Sequence, residues 1–154
     1  MKSGILLTTG NGHTLNTMTI GWGSIGIEWG KPVFTAYVRD SRYTRELLDQ
    51  NGEFTVNIPL GKADKTAISL CGTKSGREVD KIRELGLTPE EPEVISVPGI
   101  REFPLTLECR VIFRNIQDES RLPENIHSRY YSAINAKDYP IAYYGEILNA
   151  YIIE

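Results

Sequence analysis

Residues 37 to 47 read "YVRDSRYTREL", and this stretch is where a strand pattern gives way to a helical one. The preceding residues, Val33 to Val38, are a mostly apolar run with the composition of a strand. Apolar residues at helical spacing follow, so we predict a short helix from Tyr43 to Gln50 that ends at Asn51-Gly52. Two arginines and a serine therefore occupy the corner between a strand and a helix.

Strand patterns joined by tight turns extend outward from this corner on both sides. We predict strands at Ile5–Thr9, Leu15–Ile20, Val33–Val38, Glu53–Ile58, Val94–Val97, Leu105–Ile116 and Ala142–Ile153, and further helices at Lys62–Cys71 and Val79–Leu85. Gly10-Asn11-Gly12 is a strong hairpin signal between the first two strands. Because strands and helices do not alternate, the pattern favours a mainly β fold, a small closed or split antiparallel β-barrel with a few short helices.

The composition is that of one globular domain spanning residues 1–154, with 40% hydrophobic and 24% charged residues. A net charge of -3 argues against general nucleic-acid binding. The apolar run after Gly4 is too short for a signal peptide, and no run reaches membrane-spanning length. Cys71 and Cys109 lack CxxC spacing, and His13 and His127 lack metal-ligand spacing. We therefore expect a reduced, cytoplasmic protein with buried thiols, without a metal site or a membrane partner.

The first polar corner, residues 39 to 44, has the residue types of an anion site. We predict that the Ser41 side chain caps the helix, while Arg39 and Arg42 add charge and Thr44 adds a hydroxyl. An ordinary capped helix with solvated arginines accounts for the same residues and is favoured when this corner is taken alone.

A second polar corner, "CGTKSGR" at residues 71 to 77, repeats this chemistry. Two glycines frame Lys74 and Ser75, and Arg77 follows, which places exposed backbone donors beside two cations. The order differs from a Walker A loop, and a plain helix-to-helix turn is the alternative. Two such corners in one acidic domain indicate that they share one anion.

The third feature is "NTMTIGWGS", residues 16 to 24, a strand interrupted by glycines. Glycines in a strand let a planar group approach the backbone closely, and Trp22 supplies a flat ring. Thr17 and Thr19 supply hydroxyls. A bulged barrel corner with Trp22 in the core is an equally good interpretation of these residues.

Together these stretches resemble the flavin reductase-like, FMN-binding split-barrel family, and within it the flavoredoxin-type branch. The segments that carry the resemblance are "NTMTIGWGSIGIEWGKPVFTAYVRDSRYTRELL" (16–48), "GEFTVNIP" (52–59), "CGTKSGREVDK" (71–81) and "YYGEILNAYI" (143–152). With the stretches between them they cover nearly the whole chain, from Lys2 to Ile153.

The resemblance implies a homodimeric split β-barrel that holds FMN noncovalently near the subunit interface. The cofactor-binding residues that it implies are Thr17, Met18, Thr19, Ile20, Gly21, Trp22, Gly23, Arg39, Ser41, Arg42, Tyr43, Thr44, Lys74, Ser75, Arg77 and Tyr139. Residues from the two corners would hold the phosphate, and residues 17–23 would run along the isoalloxazine edge, with Thr19 near N5. Asp80 and Lys81 match the end of the second motif, although a structural ion pair accounts for them equally well.

One segment departs from the family pattern. Relatives commonly carry Gly-Asp-His before the last strand, where this chain has Ala136-Lys137-Asp138-Tyr139. The imidazole is then absent unless His127 folds back to replace it, and Tyr139 would stack or hydrogen-bond in its place.

The resemblance implies hydride transfer from NAD(P)H to the flavin, with the protein positioning the rings. One alternative is an electron-transfer flavoprotein that accepts electrons from a redox partner protein without efficient NAD(P)H turnover. A non-enzymatic barrel, such as a ligand sensor or an OB-like nucleic-acid binder, is a further alternative. The acidic charge and scattered aromatics count against nucleic acid.

Overall fold

The computed structural model describes residues 4–133 and 138–154. These residues form β1 (Ile5–Gly10), β2 (Leu15–Ile20), β3 (Gly23–Glu28), β4 (Lys31–Arg39), β5 (Glu53–Ile58), β6 (Pro89–Glu90), β7 (Gly99–Ile100), β8 (Leu105–Ile116) and β9 (Pro140–Ile152). The helices are α1 (Tyr43–Asn51), α2 (Lys65–Thr73), α3 (Lys81–Leu85) and α4 (Glu124–Tyr130), and a 3-10 turn spans Glu119–Arg121. The mainly β prediction is confirmed.

Seven of these strands form one antiparallel sheet in the order β2-β1-β5-β8-β9-β4-β3. The long strands β8 and β9 lie at its centre, and register shifts near Cys109 and Val111 interrupt their ladder. Such bulges bend and twist a strand. The sheet curves until β2 contacts β4, which lies beyond the centre on the other side. This is the split antiparallel barrel, and β2 and β4 face each other at the split.

Strand β1 is buried on both faces because it separates two apolar clusters. Leu7 packs in the barrel interior with Phe54 and Tyr143. Leu6 packs outside the barrel, under α2 and beside Phe103. Successive strand residues point to opposite faces of a sheet, so adjacent leucines serve both clusters. The outer cluster fixes α2 and the loop that follows it against the sheet.

Helix boundaries follow side-chain and glycine caps. The predicted stop at Asn51-Gly52 is confirmed, since Gly52 has φ 73° and its N–H donates to the Leu48 carbonyl. The second helix begins at Lys65 and not at the predicted Lys62, because the Asp64 carboxylate accepts the N–H groups of Thr66 and Ala67.

Strand β3 was not predicted. It pairs with β4 through a tight turn at Trp29 and Gly30, whose φ angles of 51° and 70° have the signs that a type I′ hairpin requires. Ile25 and Ile27 alternate along this edge strand and are 63% and 75% exposed, while Gly23 and Gly26 weaken the strand signal in the sequence.

The predicted strand Val94–Val97 is wrong. Two carboxylates take backbone N–H groups that a strand would pair: Glu108 accepts from Glu93 and Val94, and Glu53 accepts from Ser96. Residues 93–97 are therefore a series of bends, and the short ladder lies on either side of them in β6 and β7.

Cys71 and Cys109 are both buried free thiols, as predicted. Burial raises the pKa of each thiol. Among the described residues, no helix is long and apolar enough to cross a membrane, and no cluster of three or more potential metal ligands is present.

Candidate functional site

The two polar corners lie side by side and are joined by reciprocal hydrogen bonds. Arg42 of the first corner donates through Nη2 to the Gly72 carbonyl at 3.0 Å. Arg77 of the second corner donates through Nη1 to the Ser41 carbonyl at 3.1 Å. Residues 39–44 and 71–77, with the cavity between them, are called the anion corner below.

The cavity of the anion corner has a volume of about 270 Å³. Nine of the predicted site residues line it: Met18, Arg39, Ser41, Arg42, Tyr43, Thr44, Lys74, Ser75 and Arg77. Asn16, Thr73, Gly76, Lys81 and Asp138 complete the wall. The fold therefore brings together the predicted residues of both corners, although about 30 residues of sequence separate them.

Positive charge dominates this cavity. Arg39, Arg42, Lys74, Arg77 and Lys81 line it, against one lining carboxylate, that of Asp138. Arg77 also pairs with Glu46 outside the lining and lies over the Tyr43 ring, 5.4 Å from its centroid. The Arg42 hydrogen bond goes to a neutral carbonyl, and in the described part of the chain this guanidinium makes no ion pair. Such a concave cationic site favours an anion.

The predicted Ser41 cap is wrong. Helix α1 begins at Tyr43 and its N-cap residue is Arg42, which makes no side-chain cap bond. The Ser41 N–H donates instead to Asp138 Oδ1 at 2.9 Å. In the described part of the chain no acceptor takes the N–H groups of Tyr43 and Thr44, so the start of α1 has donors available. Free donors at a helix start bind anions.

Asn16 and Gly76 belong to the anion corner but were not predicted as site residues. The Asn16 amide is buried and donates to Thr44 Oγ1 at 2.9 Å, which fixes that hydroxyl. A Cβ at Gly76 would lie 2.2 Å from Asn16 Oδ1, so only glycine lets the second corner approach β2 this closely. The sequence contains both residues but gives no sign of this contact.

Lys81, which the sequence identified only as the end of the second motif, lies deep in the cavity wall. Its side chain is 3% exposed, and Nζ reaches the Cys71 carbonyl at 3.4 Å. Burial lowers the pKa of Lys81 to about 8, and the neighbouring Arg42 charge also lowers it. The alternative of a structural ion pair between Asp80 and Lys81 is wrong: among the described residues these two make no ion pair, and the Asp80 carboxylate caps α3 by accepting the Arg83 N–H.

A second cavity of about 160 Å³ continues from the anion corner along the split of the barrel. It shares Met18, Arg39 and Arg42 with the anion corner. Its other lining residues are Thr19, Ile20, Gly21, Trp22, Tyr37 and Pro140. This cavity runs along β2, faces β4 and includes the flat ring of Trp22 in its lining. We call it the ring groove.

Trp22 lies at the end of the ring groove and not in the core, so the core alternative is wrong. Its side chain is 44% exposed. It contacts Tyr130 edge-on at a centroid distance of 5.6 Å and Tyr131 at 6.1 Å, and His127 stacks on Tyr131 at 6.3 Å. These four rings form the aromatic cluster. Burial, together with the nearby Glu119, raises the pKa of the Tyr131 phenol, which stays protonated at neutral pH.

A third cavity, of about 400 Å³, opens beside Trp22 on the side of β3. Gly21, Gly23, Ser24, Tyr37 and Gln117 line it with Trp22. At Gly23 the backbone lies close to the Phe34 ring, since a Cβ at this position would lie 2.9 Å from that ring. The described site thus runs from cations at one end to aromatic rings at the other.

Two predicted residues of β2 have their hydroxyls engaged elsewhere. Thr17 is fully buried and donates its hydroxyl to the Leu7 carbonyl at 3.3 Å. Thr19 lines the ring groove, but its hydroxyl donates to the Ile68 carbonyl at 2.6 Å.

Tyr139 packs against the barrel core, and its carbonyl accepts the N–H of Asp40 at 3.0 Å. Of the segment that departs from the family pattern, Ala136 and Lys137 lie outside the described residues. His127 belongs to the aromatic cluster, where Tyr131 lies between it and Trp22.

The residues present suit a ligand that carries a phosphate and a planar ring. The cations and the free N–H groups at the start of α1 match phosphate oxygens. The ring groove presents the β2 residues 18–22 and the Trp22 side chain to a flat group.

Comparisons with known proteins agree with this description. A family model described as "Flavin reductase like domain" matches residues 1–136. An uncharacterized protein of Archaeoglobus fulgidus is 34% identical over 97 residues, which are 63% of this chain and 54% of that protein. YddH of Escherichia coli is 34% identical over 98 residues, 63% of this chain and 51% of that protein. The chain spans about half the length of these curated relatives.

Solved structures show the same fold. Flavoredoxin from Methanosarcina acetivorans is 28% identical with a TM-score of 0.74, covering 99% of this chain and 69% of that one. Flavoredoxin of Desulfovibrio vulgaris is 23% identical with a TM-score of 0.73, covering 98% and 69%. An FMN-binding domain of a flavin reductase-like enzyme from Shewanella baltica is 17% identical with a TM-score of 0.68, covering 97% and 68%.

Proposed function

The chain belongs to the flavin reductase like domain family, and from this membership we propose that it binds FMN noncovalently and transfers hydride from NAD(P)H to flavin. The observation that carries the proposal is the anion corner, where two cationic loops are hydrogen-bonded to each other around one cavity. A ring groove opens directly from it.

Within this proposal each part of the site has its own task. Arg42, Lys74 and Lys81 would bind the phosphate, together with the N–H groups at the start of α1. The backbone of residues 19–21 would lie along the edge of the flavin ring, and Trp22 would close the far end. Bound FMN would supply the hydride chemistry, while the chain orients the ring and keeps the phosphate fixed.

We propose that the protein is a homodimer that pairs through the β3–β4 hairpin. Trp29 at the turn of the hairpin forms a contiguous aromatic patch with Phe113 of β8 and Tyr144 of β9, with centroid distances of 5.4–6.0 Å. Ile25 and Ile27 are exposed on the other face of the same hairpin. An exposed apolar patch of this kind is typical of an interface. We expect Ile27→Asp to convert a dimer into a monomer by light scattering, while Ile126→Asp, on α4, leaves the mass unchanged.

A second candidate function is electron transfer from a redox partner protein without efficient NAD(P)H turnover. The observation that favours it is Tyr139, which stands where relatives carry histidine and packs against the core. If that histidine contributes to nicotinamide binding in relatives, this chain turns over NAD(P)H slowly. Rapid reduction by a protein donor, with negligible steady-state NAD(P)H oxidation, would identify the carrier.

The first test compares FMN with riboflavin, which lacks the phosphate. We expect the ligand-free protein to bind FMN much more tightly than riboflavin. We expect the Arg42→Ala, Lys74→Ala double variant to lose about a hundredfold in FMN affinity, since two charge-assisted hydrogen bonds are removed.

The matched control is Lys65→Ala, which removes an exposed lysine from the other end of α2. Riboflavin affinity should stay the same in all three proteins. Equal binding of FMN and riboflavin by the unsubstituted protein would contradict a phosphate site at the anion corner. NAD(P)H oxidation by the FMN-loaded protein then separates the reductase from the carrier.

A further inference from the structure

The anion corner places a buried amine beside its other cations. Lys81 lines the cavity from the wall, and the remaining cations of the lining belong to the two loops. Among the described residues Lys81 Nζ makes one hydrogen bond, to the Cys71 carbonyl, and this bond is long at 3.4 Å. No carboxylate of the described residues forms an ion pair with the amine. The nitrogen therefore lies at the cavity without a strong partner.

This amine has the properties of a nucleophile. Burial lowers the pKa of Lys81 to about 8, and the Arg42 charge acts in the same direction, whereas Cys71 acts in the opposite one. At that pH about half of the Lys81 amines carry no proton. Removal from water and a neighbouring cation are the two means by which proteins activate a lysine for attack on a carbonyl carbon.

The other charges of the cavity determine which compounds reach this amine. The loop cations and the free N–H groups at the start of α1 attract an anion into the same space of about 270 Å³. Because four other cations line the cavity, a bound phosphate does not depend on the Lys81 charge alone. In an acyl phosphate the carbonyl carbon is joined to the phosphate through a single oxygen. Binding of that phosphate therefore brings an electrophilic carbon to the amine.

We propose that Lys81 is an acylation site for small acyl phosphates, which the anion corner binds by their phosphate. A bond forms between Lys81 Nζ and the carbonyl carbon, and the bond between that carbon and the bridging oxygen breaks. The oxygen keeps the electron pair and leaves as inorganic phosphate, whose negative charge the loop cations stabilise. The amine proton goes to water, and the product is an uncharged amide.

Acylation would also regulate the proposed FMN site, and this consequence rests on the proposed function. The amide removes one cation from the wall and adds an acyl group to the cavity that the flavin phosphate would enter. We expect the acylated protein to lose about thirtyfold in FMN affinity, with riboflavin affinity much less affected. Bound FMN should in turn prevent acylation, because its phosphate occupies the same cavity.

The experiment treats the ligand-free protein with acetyl phosphate at a pH of about 8 and follows the acetylation of each lysine by peptide mass spectrometry. Lys62 and Lys65 are the internal references, because both are exposed and neither lines the anion corner. A second sample receives the N-hydroxysuccinimide ester of acetic acid, which transfers the same acetyl group without a phosphate. Two further samples contain acetyl phosphate with either inorganic phosphate or FMN as the competitor.

We expect acetyl phosphate to modify Lys81 about tenfold faster than either reference lysine, and inorganic phosphate to abolish this preference. The ester should prefer the exposed lysines, because burial shields Lys81. Lys81→Arg is the matched variant, since it keeps the charge and cannot form the amide. Treatment with acetyl phosphate should therefore leave the FMN affinity of Lys81→Arg unchanged.

Acetylation of Lys81 that is no faster than that of the references overturns the inference. A preference for Lys81 that persists with the ester, or in the presence of inorganic phosphate, overturns it as well. Protection by FMN tests the proposed function instead. Selective acetylation of Lys81 in a protein that binds no flavin would overturn the proposed function and support the acylation site, so the two proposals can fail separately.

Discussion

The two ends of the proposed flavin site are built in opposite ways. The anion corner is made of two loops that hold each other through guanidinium-to-carbonyl hydrogen bonds, with a buried amide and a buried lysine behind them. At the other end, Trp22 and Tyr130 of the aromatic cluster are nearly half exposed, and these two rings meet edge-on between the β2–β3 connection and α4. A substitution in the hydrogen-bonded anion corner should therefore change binding strongly, and one in the aromatic cluster should change it moderately.

Among single substitutions, the largest effect is expected at Lys81. Lys81→Met removes a buried cation from the wall of the anion corner and should weaken FMN binding about thirtyfold, with riboflavin binding unchanged. Lys62→Met, a substitution of an exposed lysine, is the control. If FMN and riboflavin affinities fall equally, Lys81 acts on the fold and not on the phosphate.

Lys81 also predicts how FMN binding depends on pH. In the ligand-free protein this amine loses its proton as pH rises through about 8, and phosphate favours the protonated form. FMN affinity should therefore fall as pH rises above about 8, and Lys81→Met should lack this fall.

Stability should change in the opposite direction over the same range. The unfolded chain keeps this lysine protonated up to its ordinary pKa of 10.5, so it binds more protons than the folded chain between about 8 and 10.5. The Lys81 contribution to the free energy of unfolding of the ligand-free protein should rise across this window. Denaturant titrations of the unsubstituted protein and of Lys81→Met would measure it.

A smaller effect is expected when the fit between the two corners is broken at Gly76. Gly76→Ala places a methyl group against Asn16 and Tyr43, which should cost about 1–3 kcal/mol of stability and about tenfold in FMN affinity. Gly26→Ala is the control, because a Cβ there has no atom within 4 Å. An unchanged midpoint of unfolding for Gly76→Ala would mean that the second corner can move away from β2.

A substitution in the aromatic cluster should weaken flavin binding less than one in the anion corner. The loss should be the same for a flavin with a phosphate and for one without. Trp22→Ala should weaken FMN and riboflavin binding by the same factor, about threefold to tenfold, because only a ring contact is lost. Fluorescence titration with both flavins measures this. A loss restricted to FMN would place Trp22 in the anion corner and contradict the division into two ends.

The smallest effect is expected for Tyr139→His, which restores the residue type of the relatives. Because this side chain packs against the core, FMN affinity should change by less than about threefold. Steady-state NAD(P)H oxidation by the FMN-loaded variant measures whether the imidazole changes turnover. A large gain in turnover would show that the imidazole reaches the nicotinamide and would favour the electron carrier as the function of the unsubstituted chain.

Residue type and spacing predicted a large part of the fold, and the same holds for the anion corner. The helix that ends at Gly52 and the split barrel were predicted because caps, turns and apolar patterns are local signals. The residues of both corners were predicted because arginine, lysine and glycine that are concentrated in two short loops indicate an anion site. The role of Tyr139 toward a ligand stays a prediction.

What the sequence did not reveal depends on contacts between distant segments. Lys81 is buried only because α3 packs beside α2 and β2, and Asn16 belongs to the site only because Gly76 reaches it. Strand β3 was missed because glycines at positions 23 and 26 weaken its strand signal, although Ile25 and Ile27 alternate along it. Residues 94–97 have strand composition, but the carboxylates of Glu53 and Glu108 occupy their N–H groups.

The crossed arginine bonds of the anion corner have a consequence for the thermodynamics of recognition. Because Arg42 and Arg77 already fix the two loops in the absence of a ligand, the loops lose little conformational entropy when a ligand arrives. Almost all of the favourable free energy of the contacts between the ligand and the loops then contributes to the free energy of binding. A corner that is ordered in advance also binds without a slow rearrangement, so the rate of complex formation is set by diffusion and by the attraction between opposite charges.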